Sequence, residues 1–370
     1  MSKGRYERKK EKKSSGAGKV ILTILIVLLV LIVAAVIAVV IYYNSMLNKM
    51  NRVEVPKIQY TTVATEEVTE EATTEATTVP SETVHIPSSE DYINVLVVGQ
   101  AGREGEAERF ADTMILVTLN TYEKTLTMTS FLRDSLVQPP NFRGHSFGKI
   151  KLTTVYHLGS FYDNGNIAGS MELMNQTLYD NFGVEVDYNF EIDFDAFVTL
   201  LDLIDGVMID LTQEEADYLN DDDVWVYYDM EPGLQRLDGM VGLSYARMRK
   251  ATGDGDSDIK RTERQRKLVT AVIEKLKTRS VSELQNLANE VLPYVTTSMT
   301  NTEITDMLLT MLPMLSELTI QPSGTCPVAG TYSGEMVDIY KDGFEHSVLK
   351  FTVSEQKKLM RAITEGEIAE

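Results

Sequence analysis

The chain has 370 residues, 43% of them hydrophobic, and a formal net charge of −20. This length suffices for one large domain or two small ones, and the acidic balance argues against the broad basic face of a nucleic-acid-binding protein. One cysteine, Cys326, excludes an internal disulfide, and with only four histidines beside it a cysteine–histidine metal site is excluded too. A bound metal would therefore use carboxylates, which favours magnesium, manganese or calcium.

The N-terminal segment predicts a membrane anchor. Residues 20–43 are almost uninterruptedly apolar, and about 20 helical residues span a bilayer core. A basic tail over residues 1–19 precedes this run and no comparable cluster follows it, so the positive-inside rule places the N-terminus in the cytoplasm. The alternative for the tail, a nucleic-acid-binding segment, is disfavoured by its position against the apolar run. The sequence predicts a single-pass protein of the cell membrane, with residues 44–370 outside the cell.

Residues 44–90 are predicted to be a disordered linker. The stretch 58–90 is rich in threonine and glutamate and contains no lysine or arginine. Such a composition buries too little apolar surface to fold, and its like charges repel one another. The segment is expected to hold the folded part away from the membrane.

Strands and helices then alternate along the chain. Predicted strands cover 93–98, 113–119, 126–131, 190–194 and 207–211. Predicted helices cover 168–182, 196–204, 261–277, 301–318 with Thr302 as a cap, and 353–363, and a short hairpin is predicted over 330–336. This alternation predicts an α/β fold, a layered α-β-α sandwich around a central mixed sheet. We expect residues 91–280 to form the main domain and residues 281–366 to pack on it.

Four arginines in two nearby segments predict an anion pocket. Arg247 and Arg249 are two residues apart, so on a strand they would point to one face. Arg261 and Arg264 are three apart, so on a helix they share one side, and the alternative for them is a solvated helix face. Planar guanidinium groups suit phosphate oxygens. A local basic pocket in an acidic protein predicts a small, phosphate-rich ligand.

A series of short segments carries a resemblance to a known family. In chain order they cover residues 94–100, 112–117, 130–134, 151–156, 193–197, 205–207, 237–239, 245–249 and 261–265. Each segment alone is weakly specific, but together and in this order the sequence resembles the LytR-CpsA-Psr family over about residues 92–275. The resemblance implies that residues 91–280 are the catalytic domain.

The resemblance also implies a function. Members of this family are phosphotransferases of Gram-positive cell envelopes, which move a glycopolymer, such as teichoic acid or capsular polysaccharide, from a polyprenyl-pyrophosphate carrier onto peptidoglycan. Magnesium bridges the pyrophosphate, with manganese as an alternative, and arginines neutralise it. Phosphoryl transfer of this kind depends mainly on positioning and charge stabilisation. Two alternatives stay open, a catalytically weak polyprenyl-phosphate-binding scaffold or regulator of envelope assembly, and a lipid pyrophosphatase.

The family's functional residues match individual positions of this chain. Those implied to hold the pyrophosphate are Arg133, Arg247, Arg249 and Arg261, with Lys151 and Gln265 in supporting polar roles. Asp258 matches an acid that activates the acceptor hydroxyl, and its alternative is a helix N-cap. Asp112 matches a magnesium ligand, and its alternative is a turn residue before a strand. For Arg133 the alternative is a salt bridge to Asp134 or another carboxylate.

Two positions depart from the family pattern near the expected metal site. Ala101 stands where the family usually has an aspartate, and Phe110 stands where it usually has an arginine. Arg103 and Arg109 lie close enough in sequence to compensate for the missing arginine, and Arg103 is included among the predicted substrate-binding residues. Loss of one carboxylate predicts weaker metal binding, since hard cations are held by summed carboxylate charge.

A group of apolar residues offers two interpretations, the lining of a polyprenyl tunnel or ordinary core. Those singled out are Met174, Leu178, Phe194, Phe197, Leu200 and Leu201.

Overall fold

The computed structural model describes residues 41–58, 89–100, 110–221, 229–248, 257–341 and 343–366. The chain divides into two compact units, residues 1–48 and 49–370. In the first unit residues 41–47 are helical, and the predicted anchor over 20–43 lies almost entirely outside the described residues. Across the described ranges, no helix has both the length and the apolar character that a membrane crossing requires.

The second unit combines strands and helices throughout. The strands are β1 (Asn51–Arg52), β2 (Tyr92–Gln100), β3 (Ala111–Asn120), β4 (Thr125–Phe131), β5 (Leu136–Val137), β6 (Ile150–Lys151), β7 (Tyr188–Ile192), β8 (Val207–Leu211), β9 (Gly233–Leu237), β10 (Val295–Thr297), β11 (Thr319–Ile320), β12 (Gly324–Cys326), β13 (Tyr332–Val337) and β14 (His346–Phe351). The helices are α1 (Leu152–Tyr162), α2 (Ile167–Phe182), α3 (Phe194–Leu203), α4 (Gln213–Leu219), α5 (Gly239–Arg247), α6 (Ser257–Lys277), α7 (Val281–Val291), α8 (Asn301–Met314) and α9 (Val353–Thr364).

The central sheet is mixed, as predicted. Its strand order is β1-β10-β7-β2-β3-β4-β11, and β12 also pairs with β4. Strand β3 runs antiparallel to both β2 and β4, so those two strands point the same way. Strand β7 is parallel to β2, and β11 and β12 are parallel to β4. The carboxyl ends of β2, β4 and β7 therefore meet at one edge of the sheet, where β3 begins.

Helices cover both faces of this sheet. Successive side chains of a strand point to opposite faces, and the central strands bury both sets. Leu96 of β2 and Met114 of β3 pack with α1, α2 and α9 on one face. Ile115 of β3 and Met128 of β4 pack with α6 and α8 on the other. The arrangement is the predicted α-β-α sandwich.

A separate hydrophobic core surrounds the antiparallel strands β8 and β9. Helix α4 lies between these two strands in the chain, and the pair is called the β8–β9 hairpin below. Leu201 of α3, Val207 of β8, Tyr245 of α5 and Leu268 of α6 are all at most 1% exposed in this cluster. Because Leu268 lies in this cluster while the next residue, Val269, packs against the sheet, α6 joins the hairpin core to the central sheet.

The C-terminal segment contributes to the central sheet. Strands β10, β11 and β12 all come from residues beyond 281, and β13 pairs with β14 as a hairpin. The side chain of Thr300, rather than Thr302, caps α8 by accepting a hydrogen bond from the backbone N–H of Glu303. The predicted cap is wrong because Thr300 and Glu303 form a reciprocal capping box that starts the helix at Asn301.

Part of the predicted linker is ordered. Asn51 and Arg52 form an edge strand parallel to β10, and the backbone N–H of Val53 donates to the carbonyl of Thr297 at 3.1 Å. Val53 and Val55 pack against the α1–α2 core. The prediction of disorder is wrong for this stretch because its apolar side chains find a core to pack against. Residues 59–88 lie outside the described residues.

Candidate active site

The carboxyl edge of the sheet gathers most of the described candidate residues. Asp112 is the second residue of β3, so it lies within a strand rather than in a turn before one. Arg133 follows the end of β4 by two residues. In α/β sheets, ligands usually bind in a crevice at the carboxyl ends of the parallel strands. Strand order alone therefore makes this edge the first place to look for a site.

Helix α6 brings the second group of residues to the same edge. Asp258, Arg261 and Gln265 are spaced three and four residues apart, which places them on one face of a helix. A guanidinium nitrogen of Arg261 lies 3.3 Å from the backbone oxygen of Asp112. Arg261 is 3% exposed, so the alternative of a solvated helix face is wrong for this residue.

Arg133 is the centre of the site. Its Nη1 donates to Oδ1 of Asp112 at 2.9 Å, and its Nε donates to Oδ2 of Asp258 at 3.0 Å. The other carboxylate oxygen of Asp258 lies 2.9 Å from Nη2 of Arg261. The Asp258 carboxylate is thus shared by two guanidinium groups. Its alternative role, an N-cap for its own helix, does not account for these two ion pairs. These four side chains, Asp112, Arg133, Asp258 and Arg261, are called the ionic cluster below.

The cluster is half-buried and its charges are strongly coupled. Burial opposes the charge on Arg133, but Asp258, Asp112 and Asp134 outweigh that effect and raise the pKa of Arg133 above its ordinary value. Arg133 therefore stays protonated. A permanent cation whose fork-shaped donors are held by two carboxylates is well suited to exchange one of them for phosphate oxygens.

Lys151 reaches the cluster through Asp134. The Nζ of Lys151 lies 2.8 Å from Oδ1 of Asp134, and Oδ2 of Asp134 lies 3.8 Å from Nε of Arg133. The start of α1 fixes the segment after β4 that carries Arg133 and Asp134, because the backbone N–H of Thr153 donates to the carbonyl of Arg133 at 3.0 Å. A salt bridge between Arg133 and Asp134, considered from the sequence, is therefore the loosest of three ion pairs.

Arg247 ends a helix, so the prediction that it lies on a strand is wrong. The side chain of Asp238 caps α5, and Gly242 lets that helix pack tightly against α3, since a Cβ there would come within 2.4 Å of Leu201. The exposed guanidinium of Arg247 lies 5.0 Å from the ring centroid of Phe194, the first residue of α3. Within the described part of the chain, no carboxylate lies at ion-pair distance from Arg247.

Helix α6 also holds the end of α5 in place. The side-chain amide of Gln265 donates to the carbonyl of Ala246 at 3.3 Å. Arg264 is 5% exposed, pairs with Glu215 at 2.8 Å and donates to the carbonyl of Met248 at 3.1 Å. Arg264 is therefore a buried structural residue, which again differs from a solvated helix face. Gln265 and Arg264 thus hold the two residues on either side of Arg247 and so fix the end of α5.

Three aspartates, Asp112, Asp134 and Asp258, surround Arg133 at this edge, and Asp112 is the one that the family resemblance matches to a magnesium ligand. Asp112 supplies the hard oxygen that magnesium prefers, but one of its oxygens already accepts a hydrogen bond from Arg133. No group of three carboxylate, histidine or cysteine side chains with metal-binding geometry occurs among the described residues. The donor set suits an ion that takes most of its oxygens from a bound pyrophosphate.

Several predicted residues lie outside the described ranges, namely Ala101, Arg103, Arg109 and Arg249. The apolar candidates divide between two cores. Met174 and Leu178 are fully buried beside the sheet, while Leu201 is buried and Phe197 and Leu200 are partly buried around the β8–β9 hairpin. The interpretation as core therefore accounts for these five side chains.

Sequence reasoning does not identify the pairing of Asp134 with Lys151 or the role of Glu215 in the site's framework. Asp134 directly follows Arg133, so the sequence places it nearby, but its pairing with Lys151 depends on the β5–β6 turn between them. Glu215 completes a capping box with Thr212, and this spacing is a readable helix-start signal. Its buried pairing with Arg264, far along the chain, has no local signal.

Comparison with known proteins identifies the family. The sequence model of the LytR_cpsA_psr family matches residues 58–338, which is well over half of the chain.

This chain belongs to the LytR_cpsA_psr family.

Relatives and solved structures of this family agree with the fold. The chain is 30% identical over 195 residues to the polyisoprenyl-teichoic acid–peptidoglycan teichoic acid transferase TagT of Bacillus subtilis, an alignment that covers 52% of this chain and 55% of TagT. The chain thus spans about half the length of the curated relatives it matches. Protein gbs0355 of Streptococcus agalactiae matches with a TM-score of 0.59 and 23% identity, covering 74% of this chain and 87% of that one.

A liganded structure also matches. The family protein YwtF (TagT) with bound octaprenyl pyrophosphate lipid has a TM-score of 0.52 and 21% identity, and the match covers 76% of this chain and 98% of that chain. At these identities the two solved structures establish the shared fold alone. The roles of the ionic cluster and of Arg247 stay predictions.

Proposed function

We propose that this protein is a membrane-anchored phosphotransferase that moves a glycopolymer from a polyprenyl-pyrophosphate carrier onto peptidoglycan. The observation that carries the proposal is the ionic cluster at the carboxyl edge of the sheet, together with the exposed Arg247, which lies beside Phe194, two residues beyond the carboxyl end of β7. Membership of the family and the transferase name of the relative TagT support it.

Pyrophosphate binding would exchange partners within the cluster. Arg133 and Arg261 pair with carboxylates in the described state. A pyrophosphate carries more charge and more acceptor oxygens than one carboxylate, so it would compete for these guanidinium donors. Arg247 has no carboxylate partner among the described residues, so none of the described ion pairs has to break for it to contribute its charge. The bound pyrophosphate would then be neutralised from two sides.

The same exchange would free the base. With Arg133 and Arg261 turned to phosphate oxygens, the Asp258 carboxylate would accept the proton of a peptidoglycan sugar hydroxyl. That hydroxyl oxygen would form a bond to the phosphorus next to the glycopolymer. The bond from this phosphorus to the bridging oxygen would break, and polyprenyl monophosphate would leave. Positioned charge of this kind is the main source of catalysis in phosphoryl transfer.

Magnesium is the cofactor we propose, with Asp112 as its protein ligand. The ion would supply charge neutralisation at the pyrophosphate. Because one carboxylate leaves most of an octahedral shell to other oxygens, magnesium and the lipid should each strengthen binding of the other. Calorimetric titration of magnesium with and without geranyl pyrophosphate tests this, and equal affinities in the two titrations would contradict it.

We also propose that residues 20–43 anchor the protein in the cell membrane with the folded part outside. The apolar run and the basic tail before it support this topology. Protease added to intact protoplasts should digest the folded part, and full protection of the chain would contradict the proposal.

A transfer assay tests the proposed activity. The full-length protein in detergent micelles is mixed with peptidoglycan and a polyprenyl-pyrophosphoryl glycopolymer that is radiolabelled in the phosphate next to the sugar. We expect label in the peptidoglycan and release of polyprenyl monophosphate. Release of the lipid monophosphate with the label left on soluble polymer would indicate a lipid pyrophosphatase instead. Binding of the lipid without any product would indicate a scaffold.

A further inference from the structure

A continuous series of aromatic rings leads away from the ionic cluster. Phe110 immediately precedes β3, two residues before Asp112, and its ring centroid lies 5.1 Å from that of His157. The series continues from His157 to Phe161 at 6.0 Å and from Phe161 to Tyr162 at 5.0 Å. From Tyr162 it reaches His145, whose ring lies 3.9 Å away, and Tyr162 also contacts the half-buried Phe147 at 5.6 Å. These five residues, 110, 157, 161, 162 and 145, are called the aromatic strip.

The strip is not simply part of the core. Phe161 is 64% exposed on α1, and His145 is exposed as well. Tyr162 packs partly against the core beneath, which gives the strip a fixed support. Burial of a phenylalanine ring stabilises a fold by removing apolar surface from water, and Phe161 forgoes most of this contribution at its position. Because the rings contact one another, Phe161 belongs to a contiguous apolar surface rather than being a singly exposed side chain, and contiguous apolar surfaces mark binding sites.

Charged side chains border the strip. Arg143 donates from Nη2 to Glu172 at 2.6 Å and from Nε to Asp163 at 3.1 Å, and its guanidinium lies 4.2 Å from the ring centroid of Phe142. These ion pairs lie beside His145 and Tyr162 in sequence. The surface therefore combines flat apolar rings with fixed hydrogen-bond donors and acceptors.

We propose that the aromatic strip binds the sugar rings of a polysaccharide next to the reacting phosphate. A pyranose presents a face of C–H groups that packs on an aromatic ring, while its hydroxyls seek polar partners at the rim. Phe110 connects this surface to Asp112 through two residues of chain. The inference deepens the proposed function and rests on it for the identity of the sugars, which belong either to the carrier-linked polymer or to the acceptor glycan.

A lipid surface is the other partner that exposed aromatic rings fit, and the charges disfavour it. A membrane-binding face usually joins its apolar residues to lysines and arginines that attract anionic lipids. Among the described residues, the charges that border the strip at Arg143 are balanced by two carboxylates, Asp163 and Glu172, and the whole chain carries a net charge of −20. The sugar rings that would pack on the strip are themselves uncharged and meet no such repulsion.

The test compares saccharide binding by variants of the full-length protein in detergent micelles. The probes are peptide-free peptidoglycan oligosaccharides, geranyl pyrophosphoryl-N-acetylglucosamine and sugar-free geranyl pyrophosphate. Phe161→Ala should weaken binding of a sugar-bearing probe about 3- to 10-fold, the range expected for one aromatic contact. Phe161→Trp should keep that binding, and Phe161→Leu should lose it. Tyr122→Ala removes a ring of similar exposure, 51%, at the opposite end of β3 and β4 and should change nothing.

The pattern across probes identifies the sugar source and separates this inference from the proposed function. Weakening for the oligosaccharides alone assigns the strip to the acceptor, and weakening for the pyrophosphoryl sugar alone assigns it to the donor. Unchanged binding of every sugar-bearing probe by Phe161→Ala would overturn the inference. Full binding of the sugar-bearing probes by Phe161→Leu would overturn it too, because an apolar side chain without an aromatic ring would then be enough for binding. Sugar-free geranyl pyrophosphate reports on the proposed pyrophosphate site independently of both results.

Discussion

At the residue scale, the central feature is a carboxylate shared by two arginines. Asp258 holds Arg133 through one oxygen and Arg261 through the other. In this state both of its oxygens accept hydrogen bonds from guanidinium groups. The carboxylate therefore holds the two arginines in place and is not available to accept a proton. The proposed exchange of partners on pyrophosphate binding gives Asp258 its role in the reaction, and it makes binding and catalysis respond differently to a change at this position.

Asp258→Asn should separate lipid binding from transfer. The amide removes the negative charge that competes with pyrophosphate for Arg133 and Arg261, so geranyl pyrophosphate should bind as tightly as before or more tightly. Loss of the general base should lower the transfer rate by about 10²- to 10⁴-fold. Calorimetry and the transfer assay measure the two quantities. Weaker lipid binding together with a lower melting temperature would mean that Asp258 serves mainly to stabilise the fold.

Most of the ionic cluster was predictable from short motifs, because Asp112, Arg133 and Arg261 lie in segments that the family resemblance matched and Asp258 lies three residues before the last of them. The pairing of Arg264 with Glu215 was not predictable, since the two residues meet only after α4 and α6 pack together. Sequence also could not rank the arginines of α6 by burial. Arg261, Arg264 and Arg266 are all 3–6% exposed, yet they have different partners.

Arg266 is the unusual member of this set. It is 6% exposed, its Nε donates to the hydroxyl of Ser323 at 3.1 Å, and its Nη1 is buried without a hydrogen-bond partner among the described residues. Burial lowers the pKa of Arg266, against a smaller opposing effect of Glu263. Its positive charge therefore costs stability in the folded state.

Arg266→Met should leave stability unchanged or raise it by up to about 2 kcal/mol, because a buried charge with weak compensation is replaced by an apolar chain of similar length. Arg264→Met is the matched comparison. This substitution leaves the buried Glu215 carboxylate without its arginine partner and should lower the free energy of unfolding by about 3–5 kcal/mol. Urea unfolding of the full-length protein measures both changes. A loss for Arg266→Met as large as that for Arg264→Met would show that Arg266 has an ionic partner beyond those described.

At the scale of elements, the close crossing of α1 and α2 sets the position of the aromatic strip. A Cβ at Gly159 would lie 2.3 Å from the backbone oxygen of Gly169, and a Cβ at Gly169 would lie 2.5 Å from the backbone oxygen of Gly159. Both helices therefore need glycine at this crossing. His157, Phe161 and Tyr162 are on α1, so its distance from α2 affects how their rings are supported.

Gly159→Ala should destabilise the protein by about 1–3 kcal/mol, as expected when a packed contact is overfilled. The helices cannot relieve this clash by a side-chain rotation, because the opposing atoms belong to the backbone. Gly148→Ala is the control, since a Cβ there meets nothing within 4 Å, and it should stay within about 0.5 kcal/mol of the parent. Equal stabilities of the two variants would mean that the crossing is looser than described.

The central strands were the most predictable elements, because their apolar runs are long and bounded by turns. Predicted strands over 113–119 and 126–131 differ from β3 and β4 by at most two residues at either end. Helices α1, α4, α5 and α7 were not predicted, although capping boxes mark the starts of α4 and α7. The strand expected at Arg247 failed because an Asp238 cap and Gly-mediated packing on α3 favour a helix there.

At the scale of the whole molecule, an acidic chain concentrates a few positive charges near one site. The chain carries a net charge of −20, yet Arg133, Arg247 and Arg261 lie at one edge of the sheet. A general negative field repels polyanions, so only a ligand held by these specific guanidinium groups is expected to bind. The strand order brings the carboxyl ends of β2, β4 and β7 together at this edge, and these ends carry the residues of the proposed chemistry.

The most direct test of this account is calorimetric binding of geranyl pyrophosphate to the full-length protein and to two arginine variants. Arg247→Ala should weaken binding by about 1.5–3 kcal/mol, as expected for hydrogen bonds to charged groups. Arg236→Ala is the control, because this exposed arginine pairs with Asp205 on the β9 side of the hairpin core, and it should leave the affinity unchanged. Equal losses in both variants, or none in either, would contradict a pyrophosphate site at the carboxyl edge of the sheet.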